Sequence, residues 1–383
     1  MTIKGTTAPG IEDVARDECS RLLAGAGIPV LESSAEAFGL AGVVAFALGD
    51  EVVFGQLRRA DPLSRARSLF HVTVHIAELE WDGSTLESLL DALRRTDFDE
   101  MKGAASFRVS CSRVGDHGFR SPQVERETGA ILQERYGTAV DLEGYTLHVK
   151  VDIVGDRAFC GYQLTGRKGL DRRHRWIYHP RVTLRTPIAY AMLVLSGFVS
   201  KPGSLHDPFC GSGTILLEAA GVLADRDPRE RSAVRVSGSD LRVEAVEGAR
   251  ANLDAAGLDP VLVARHDARE LGSLLEPRSL DYIVTNPPFG IRLGRGSNFS
   301  ALYRDFLTGA AAALRAGGVL ALLVGKRRGL FNRTLQAYPE FEVQGVRIVE
   351  MGGVYAALFL LRRTAVDNAL ADRASRLKQV RRA

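Results

Sequence analysis

The chain of 383 residues has only four cysteines, two tryptophans and seven lysines, and its formal net charge is only +4. Cys19, Cys111, Cys160 and Cys210 are far apart, with no CxxC pair and no histidine at ligand spacing. Neither a zinc site nor a disulfide framework is indicated, no metal is expected, and a reduced cytoplasm fits best. Long apolar runs are also lacking. Leu40 to Gly55 is broken by Asp50 and Glu51, and Leu307 to Gly325 by Arg315 and a glycine pair, short of the roughly 20 clean residues a membrane helix needs. The opening MTIKGTTAPGIEDVARDE has no apolar core behind its positive charge, so no secretory signal is expected. What is present is 45% apolar residues, enough for two or three cores and too much for a disordered chain. The small charge excess alone does not mark a nucleic-acid binder.

The first eighty residues alternate strand-like and helix-like patterns. Met1 to Thr7 is β-prone, and Pro9 with Gly10 opens a helix whose apolar positions Ile11, Val14, Ala15, Cys19, Leu22 and Leu23 repeat at helical spacing. Val30 to Phe38, Val43 to Leu48 and Leu69 to Ala77 read as strands, and Glu51 to Arg59 as helical. This is an α+β unit of ferredoxin-like order over residues 1–80. A second unit spans 81–166: Ser84 caps a helix Leu86 to Arg95, Ser106 to Arg113 is a cleanly alternating strand, and Ser121 as N-cap with Pro122 at the first helical position starts a helix through Arg135. Leu147 to Val154 and Arg157 to Leu164 form a hairpin across Gly155-Asp156.

Between Gly166 and Arg185 the charge becomes one-sided. Arg167, Lys168, Arg172, Arg173, Arg175, Arg181 and Arg185 face a single acid, Asp171, with Trp176 and Tyr178 interleaved. Such a run is either a solvated linker or part of a nucleic-acid groove, where cations neutralise phosphate and aromatic faces accept bases. The two readings stand about even on this stretch, and residues 167–185 are expected to be a basic linker.

From 186 to 364 strands and helices alternate as in a doubly wound sheet. Leu205 to Pro208, Arg235 to Asp240, Pro260 to Ala264, Asp281 to Thr285 and Val319 to Val324 read as strands, with helices from Ser212, Val243, Ala301 and Leu330. Phe341 to Met351 and Tyr355 to Leu361 leave no room for a helix between them and form an antiparallel pair. A mostly parallel seven-stranded sheet ending in a hairpin is the methyltransferase version of the Rossmann fold. Residues 365–383 read as a polar, basic helical tail.

The chemistry-bearing residues lie at strand ends. HDPFCGSGTILLEAA (His206 to Ala220) puts Gly211 and Gly213 at a strand-to-helix turn where backbone N–H groups can approach a ligand. The third glycine of a pyrophosphate fingerprint is replaced by Leu216, and Asp207 ends the strand. An acid repels a pyrophosphate but suits the ammonium of a methionine moiety, so S-adenosylmethionine fits better than a nicotinamide cofactor. Phe209, Cys210, Gly211, Ser212 and Gly213 form the cofactor turn. Asp240, followed by Leu241, lies 27 residues after Gly213, where such folds keep an acid for ribose hydroxyls. Asp267, followed by Ala268, is placed to accept from the adenine amino group. Thr186 and Pro187 either cover the cofactor or simply begin a helix.

The fourth strand ends in TNPPFG (Thr285 to Gly290). An exocyclic amino group is a poor nucleophile because its lone pair is delocalised into the ring. Asn286 and the carbonyl of Pro287 can accept both N–H bonds and turn the lone pair toward a methyl group, and Asn286 is also expected to touch the cofactor. Pro288 stiffens the loop, and Phe289 can stack on an extruded base. Positioning and desolvation suffice for such a transfer, without a metal or a nucleophilic side chain.

DPFCGSGT followed by TNPPFG resembles the class I amino-methyltransferases that act on exocyclic or amide nitrogens. SFRVSCSRVGDHGFRSPQVERETGAIL (Ser106 to Leu132) resembles a THUMP domain, and YHPRVTLRTPIAYAML (Tyr178 to Leu193) the cofactor-capping segment before such a catalytic domain. The whole order resembles that of the tRNA guanine-N2 methyltransferases acting on position 6 of the acceptor stem. That resemblance implies transfer from S-adenosylmethionine to N2 of a tRNA guanosine, with THUMP gripping the tRNA 3′ end, by a cytoplasmic monomer that needs no protein partner or membrane. Arg108, Arg113, Arg120 and Lys150 are then further RNA contacts. A ribosomal RNA guanine-N2 methyltransferase, a protein glutamine methyltransferase and a non-catalytic RNA adapter remain as alternatives.

Overall fold

A computed structural model describes residues 1–258, 261–288 and 298–364. Contacts divide the chain into two compact units, one of Met1–Thr7 with Ala15–Leu170, the other of Ala8–Val14 with the chain from Asp171 onward. Among the described residues no helix is long and apolar enough to cross a membrane.

The first unit is built on one eight-stranded sheet. Its strands are β1 (Thr2–Thr6), β2 (Val30–Ala35), β3 (Val43–Leu48), β4 (His71–Glu78), β5 (Ser106–Val114), β6 (Ala139–Val140), β7 (Leu147–Val154) and β8 (Arg157–Gln163), in the order β2-β3-β1-β4-β8-β7-β5-β6. Strand period decides the layers. Phe107, Val109, Leu147, Val149, Val151 and Ile153 bury one face, where helices Leu86–Arg95 and Ser121–Tyr136 contribute Leu89, Leu93, Val124 and Leu132 to the same core. Arg108, Ser110, His148 and Lys150 point to the other face.

Residues 1–80 and 81–166 do not form separate sheets, because β4 pairs antiparallel with β8 from Thr73↔Gln163 to Glu78↔Phe159. The break in contacts falls after Leu170. Three local expectations are also corrected. Strand β2 stops at Ala35 because Glu36 and Phe38 take positive φ of 51° and 59° in a short helical turn. The helix at Leu86 is capped by Thr85, whose hydroxyl accepts from Ser88 N at 3.2 Å, rather than by Ser84. Ser121 is already helical, and the N-cap is Arg120, whose N–H donates to the Gln123 side chain at 2.7 Å. The expected hairpin is present, with Val154↔Arg157 closing the Gly155-Asp156 turn.

The second unit carries a seven-stranded sheet of β9 (Leu205–Asp207), β10 (Val236–Asp240), β11 (Leu262–Arg265), β12 (Leu280–Thr285), β13 (Leu314–Val324), β14 (Phe341–Glu350) and β15 (Tyr355–Arg363), ordered β11-β10-β9-β12-β13-β15-β14. The first five are parallel, and β15 runs antiparallel between β13 and β14. The intervening helices include Thr186–Ser196, Thr214–Ala224, Val243–Ala256, Phe299–Ala313 and Arg328–Leu335. They begin within two residues of the starts read from sequence. Strand order reverses between β9 and β12, so the crevice for a ligand opens at the carboxyl ends of these two strands. Leu216 fills the place where a dinucleotide fold has its third glycine. Its side chain packs over Gly238 of β10, where an added Cβ would stand 2.6 Å from Leu216 Cδ1. A glycine on the strand thus accommodates a leucine on the helix. The 365–383 tail lies outside the described residues.

Candidate active site

The end of β9 turns directly into the glycine loop. Asp207 is 1% exposed, and its Oδ1 accepts from Phe209 N at 3.1 Å and from the Thr285 hydroxyl at 2.6 Å. Burial pushes this carboxyl up to about 7, against the two hydrogen bonds that lower it; the nearby Asp240 charge pushes the same way as burial. Among the described residues no basic side chain pairs with Asp207.

Gly211 and Gly213 have φ of 55° and 83°, a region that side chains rarely adopt, and Gly213 is the N-cap of helix Thr214–Ala224. The loop is sewn to β10 by Cys210 N donating to Ser239 O (2.9 Å) and Gly211 N donating to Asp240 Oδ2 (3.1 Å). Asp240 also receives Arg242 N at 3.0 Å on Oδ1. Leu241 beside it is 54% exposed, an apolar surface at the mouth of the crevice. Cys210 and Ser212 are buried, and Phe209 packs edge-on against Phe306 at 5.5 Å. Asp207, the 209–213 loop and Asp240 are therefore one cluster.

Asp267 follows β11, next to β10, but its oxygens are engaged by Arg269, from the backbone N at 2.9 Å and from Nε at 3.0 and 3.1 Å. The guanidinium holds its carboxyl below the usual range. Here Asp267 caps a helical turn, the ordinary role of a strand-end acid, and Ala268 behind it is buried. Thr186 and Pro187 are buried in the first turn of helix Thr186–Ser196, and the Thr186 hydroxyl donates to Asp171 O at 2.7 Å.

At the end of β12, Asn286 is half-buried, yet its Oδ1 is fully enclosed and has no hydrogen-bond partner among the described residues. Pro287 is buried and Pro288 half-buried. An orphaned buried acceptor costs about 1–3 kcal/mol. Phe289 lies outside the described residues.

The basic stretch before the catalytic unit divides into two kinds of residue. Arg172 and Arg175 are exposed. Arg173 and His174 instead donate to Glu218 Oε1, each at 2.7 Å, and Glu218 is fully buried in helix Thr214–Ala224. Arg173, expected among the RNA contacts, is thus committed to an internal ion pair. Four residues on, Asn252 Oδ1 accepts from Ile177 N and Tyr178 N (2.8 and 2.9 Å), and its Nδ2 donates to Tyr178 O and Ser212 O (2.8 and 2.9 Å). This buried amide binds the 171–185 strap to the glycine loop. Glu218, Asn252 and Thr285 were not among the residues expected from sequence. A lone acid in TILLEAAGVLA and an asparagine on the apolar face of its helix are the signals that would have found the first two.

In the first unit, Arg108 and Lys150 share one sheet face, since Arg108 is level with His148 and Lys150 with Ser110. The Arg108 guanidinium lies 5.4 Å from the Tyr145 ring centroid, and Lys150 is bonded to Ser112. Arg113 falls on the opposite parity and meets Gly115 O at 3.3 Å. Arg120, Arg167 and Lys168 are exposed. These basic residues are therefore not one patch on the sheet.

A 3-2-1-4-5-7-6 sheet with a glycine turn after its first strand and an acid ending its second defines a class I methyltransferase, which takes its methyl group from S-adenosylmethionine. Residues 172–357 match the RMKL-like methyltransferase domain, and residues 83–160 the THUMP domain. The chain is 38% identical over 370 residues to the tRNA (guanine(6)-N2)-methyltransferase of Thermus thermophilus, covering 94% of this chain and 99% of that protein. It is 26% identical over 381 residues to the enzyme of the same name from Archaeoglobus fulgidus, covering 93% and 90% of the two chains. The crystal structure of TrmN from Thermus thermophilus aligns with a TM-score of 0.72 at 34% identity, over 94% of this chain and 99% of that one. The chain belongs to the THUMP-domain tRNA (guanine-N2)-methyltransferase family.

Proposed function

We propose that this protein methylates the exocyclic N2 of guanosine 6 in the acceptor stem of tRNA, in the cytoplasm, with the THUMP region holding the tRNA 3′ end. The observation that carries the reading is the enclosed, unpartnered Oδ1 of Asn286 at the end of β12, whose Thr285 is bonded to the buried Asp207. The names of the full-length relatives support guanosine 6, and four unpaired cysteines suit a reducing compartment.

The residues present fit the cofactor. Asp207 would take its ammonium, the Gly211–Gly213 turn its methionine backbone, and Asp240 its ribose, while Leu241 and Ala268 would flank the adenine, with Asp267 at its amino edge once Arg269 releases it. When bound, S-adenosylmethionine supplies an electrophilic methyl group on a sulfonium. Asn286 Oδ1 and the Pro287 carbonyl accept the two N–H bonds of guanine N2, and the nitrogen lone pair is directed at the methyl carbon. As the nitrogen–carbon bond forms, the methyl carbon's bond to sulfur breaks, and the methylated nitrogen, now cationic, sheds one of its two original protons. A paired guanine cannot reach an enclosed acceptor, so the base must leave the stem, and its unpairing costs a few kcal/mol. Incubation with unmodified tRNA and methyl-labelled cofactor is expected to yield labelled N2-methylguanosine after digestion to nucleosides. Label in adenosine, or in protein irrespective of ribonuclease, would contradict the reading.

Arg172 and Arg175 are proposed as phosphate contacts because they are exposed, whereas Arg173 is not free to serve. Replacing both by alanine is expected to weaken tRNA binding and reduce the slope of log affinity against log salt by up to about two. Arg173→Ala is expected to lower the melting temperature instead. A salt slope unchanged in the double variant would return these two arginines to plain surface.

A further inference from the structure

We infer that Thr285 is a positioning residue of the methyl transfer: its hydroxyl holds the Asp207 carboxylate ready for the cofactor's ammonium and ties the Asn286-Pro287-Pro288 loop to the cofactor site. The inference rests on the reading of the site as a methyltransferase centre. Thr285 is fully buried as the last residue of β12, two residues beyond the Ile283↔His206 pairing that sets β12 against β9. Its Oγ donates to Asp207 Oδ1 at 2.6 Å, and the next residue is the acceptor Asn286. Among the described residues Asp207 has only one other donor, Phe209 N, also on Oδ1. Oδ2 has no hydrogen bond from a described residue, so both donors bind one oxygen and the other remains for a cation.

The hydroxyl matters because the surroundings oppose ionisation. Burial and Asp240, whose own charge is met by Arg242 at the end of β10, both disfavour the carboxylate. The neighbouring Cys210 is a buried thiol that both acids push up, and His206 on β9 is neutral, its ring bonded to Ser237 and Ser239. Among the described residues no other side chain supplies a compensating donor. Asp207 is pushed up to about 7, so its charge is lost as the pH falls through that region. An ammonium ligand needs the ionised form. Affinity for it must rise with pH through that region, with the alkaline limb set by the ligand's own amino group.

The test measures binding of S-adenosylhomocysteine by calorimetry from pH 5.5 to 8.5 (about the span of the Asp207 transition) for the wild-type protein, Thr285→Val and Thr285→Ser. Valine keeps the shape and removes the donor. The acid limb of Thr285→Val is expected to move up by roughly one to one and a half pH units, and affinity at pH 7 to fall about five- to fifteenfold. Thr285→Ser is expected to retain the wild-type profile. Methylthioadenosine, which has no amino acid moiety, is expected to bind all three proteins alike and without an acid limb. Wild-type affinity and acid limb in Thr285→Val would overturn the inference, as would an equal loss for methylthioadenosine, which would indicate a collapsed site. A flat wild-type profile below pH 7 would overturn it without any variant. None of these readouts involves RNA, so failure of the tRNA assignment would leave them unchanged.

Discussion

Asn286→Ala is expected to lower the single-turnover rate of methylation by roughly 10²–10³-fold, the loss typical of removing one group that acts on the developing transition state. The affinity for tRNA is expected to stay at the wild-type level. The separation follows from where the residue stands. Its Oδ1 has no partner among the described residues, so truncation breaks no internal hydrogen bond and relieves an unsatisfied buried acceptor. Stability is therefore expected to hold or rise, as is common where a site is strained for function. Equal losses in rate and tRNA affinity would mean that Asn286 holds RNA rather than the reacting nitrogen.

Glu218→Ala is expected to produce the largest loss of stability. The carboxylate is fully buried and receives Arg173 and His174 at 2.7 Å each. Removing one member of a buried ion pair costs about 3–5 kcal/mol because a charge is left without compensation. The Arg173 side chain is 19% exposed and can turn toward water, which favours the lower end. About 3 kcal/mol corresponds to a fall of roughly 6–12 °C in the melting temperature of a domain of about 200 residues. Glu218→Gln keeps the volume and one acceptor and is expected to lose less. Calorimetry of the ligand-free protein distinguishes these outcomes, and an unchanged transition in Glu218→Ala would show that the strap is not anchored there.

The doubly wound unit is legible because strand-like runs alternate with helical ones from 186 to 364, and because the Gly211 and Gly213 turn directly follows the first strand. The terminal hairpin is legible from the missing helix between 351 and 355. Long-range pairing is not. Nothing local in His71–Glu78 says that it lies beside Arg157–Gln163, so the sequence pattern does not reveal that residues 1–80 and 81–166 share one sheet. Arg173 meets Glu218 across 45 residues, and a run of arginines cannot reveal which member turns inward. Asp267 shows a local contact that a strand-end position does not reveal. Its strand-end position is right, but Arg269, two residues on, engages both its oxygens. In the active site, the chemistry of Asp207 and Asn286 is visible as motif, while the bond joining them through Thr285 appears only when β12 lies beside β9.

Position-resolved mass spectrometry of tRNA methylated in vitro tests the central assignment most directly. After ribonuclease digestion, one added methyl group is expected on the acceptor-stem fragment, placed on N2 of guanosine 6, and none when that position is adenosine. A methyl group on a different guanosine or on any adenosine, or methylation that persists without guanosine 6, would contradict it.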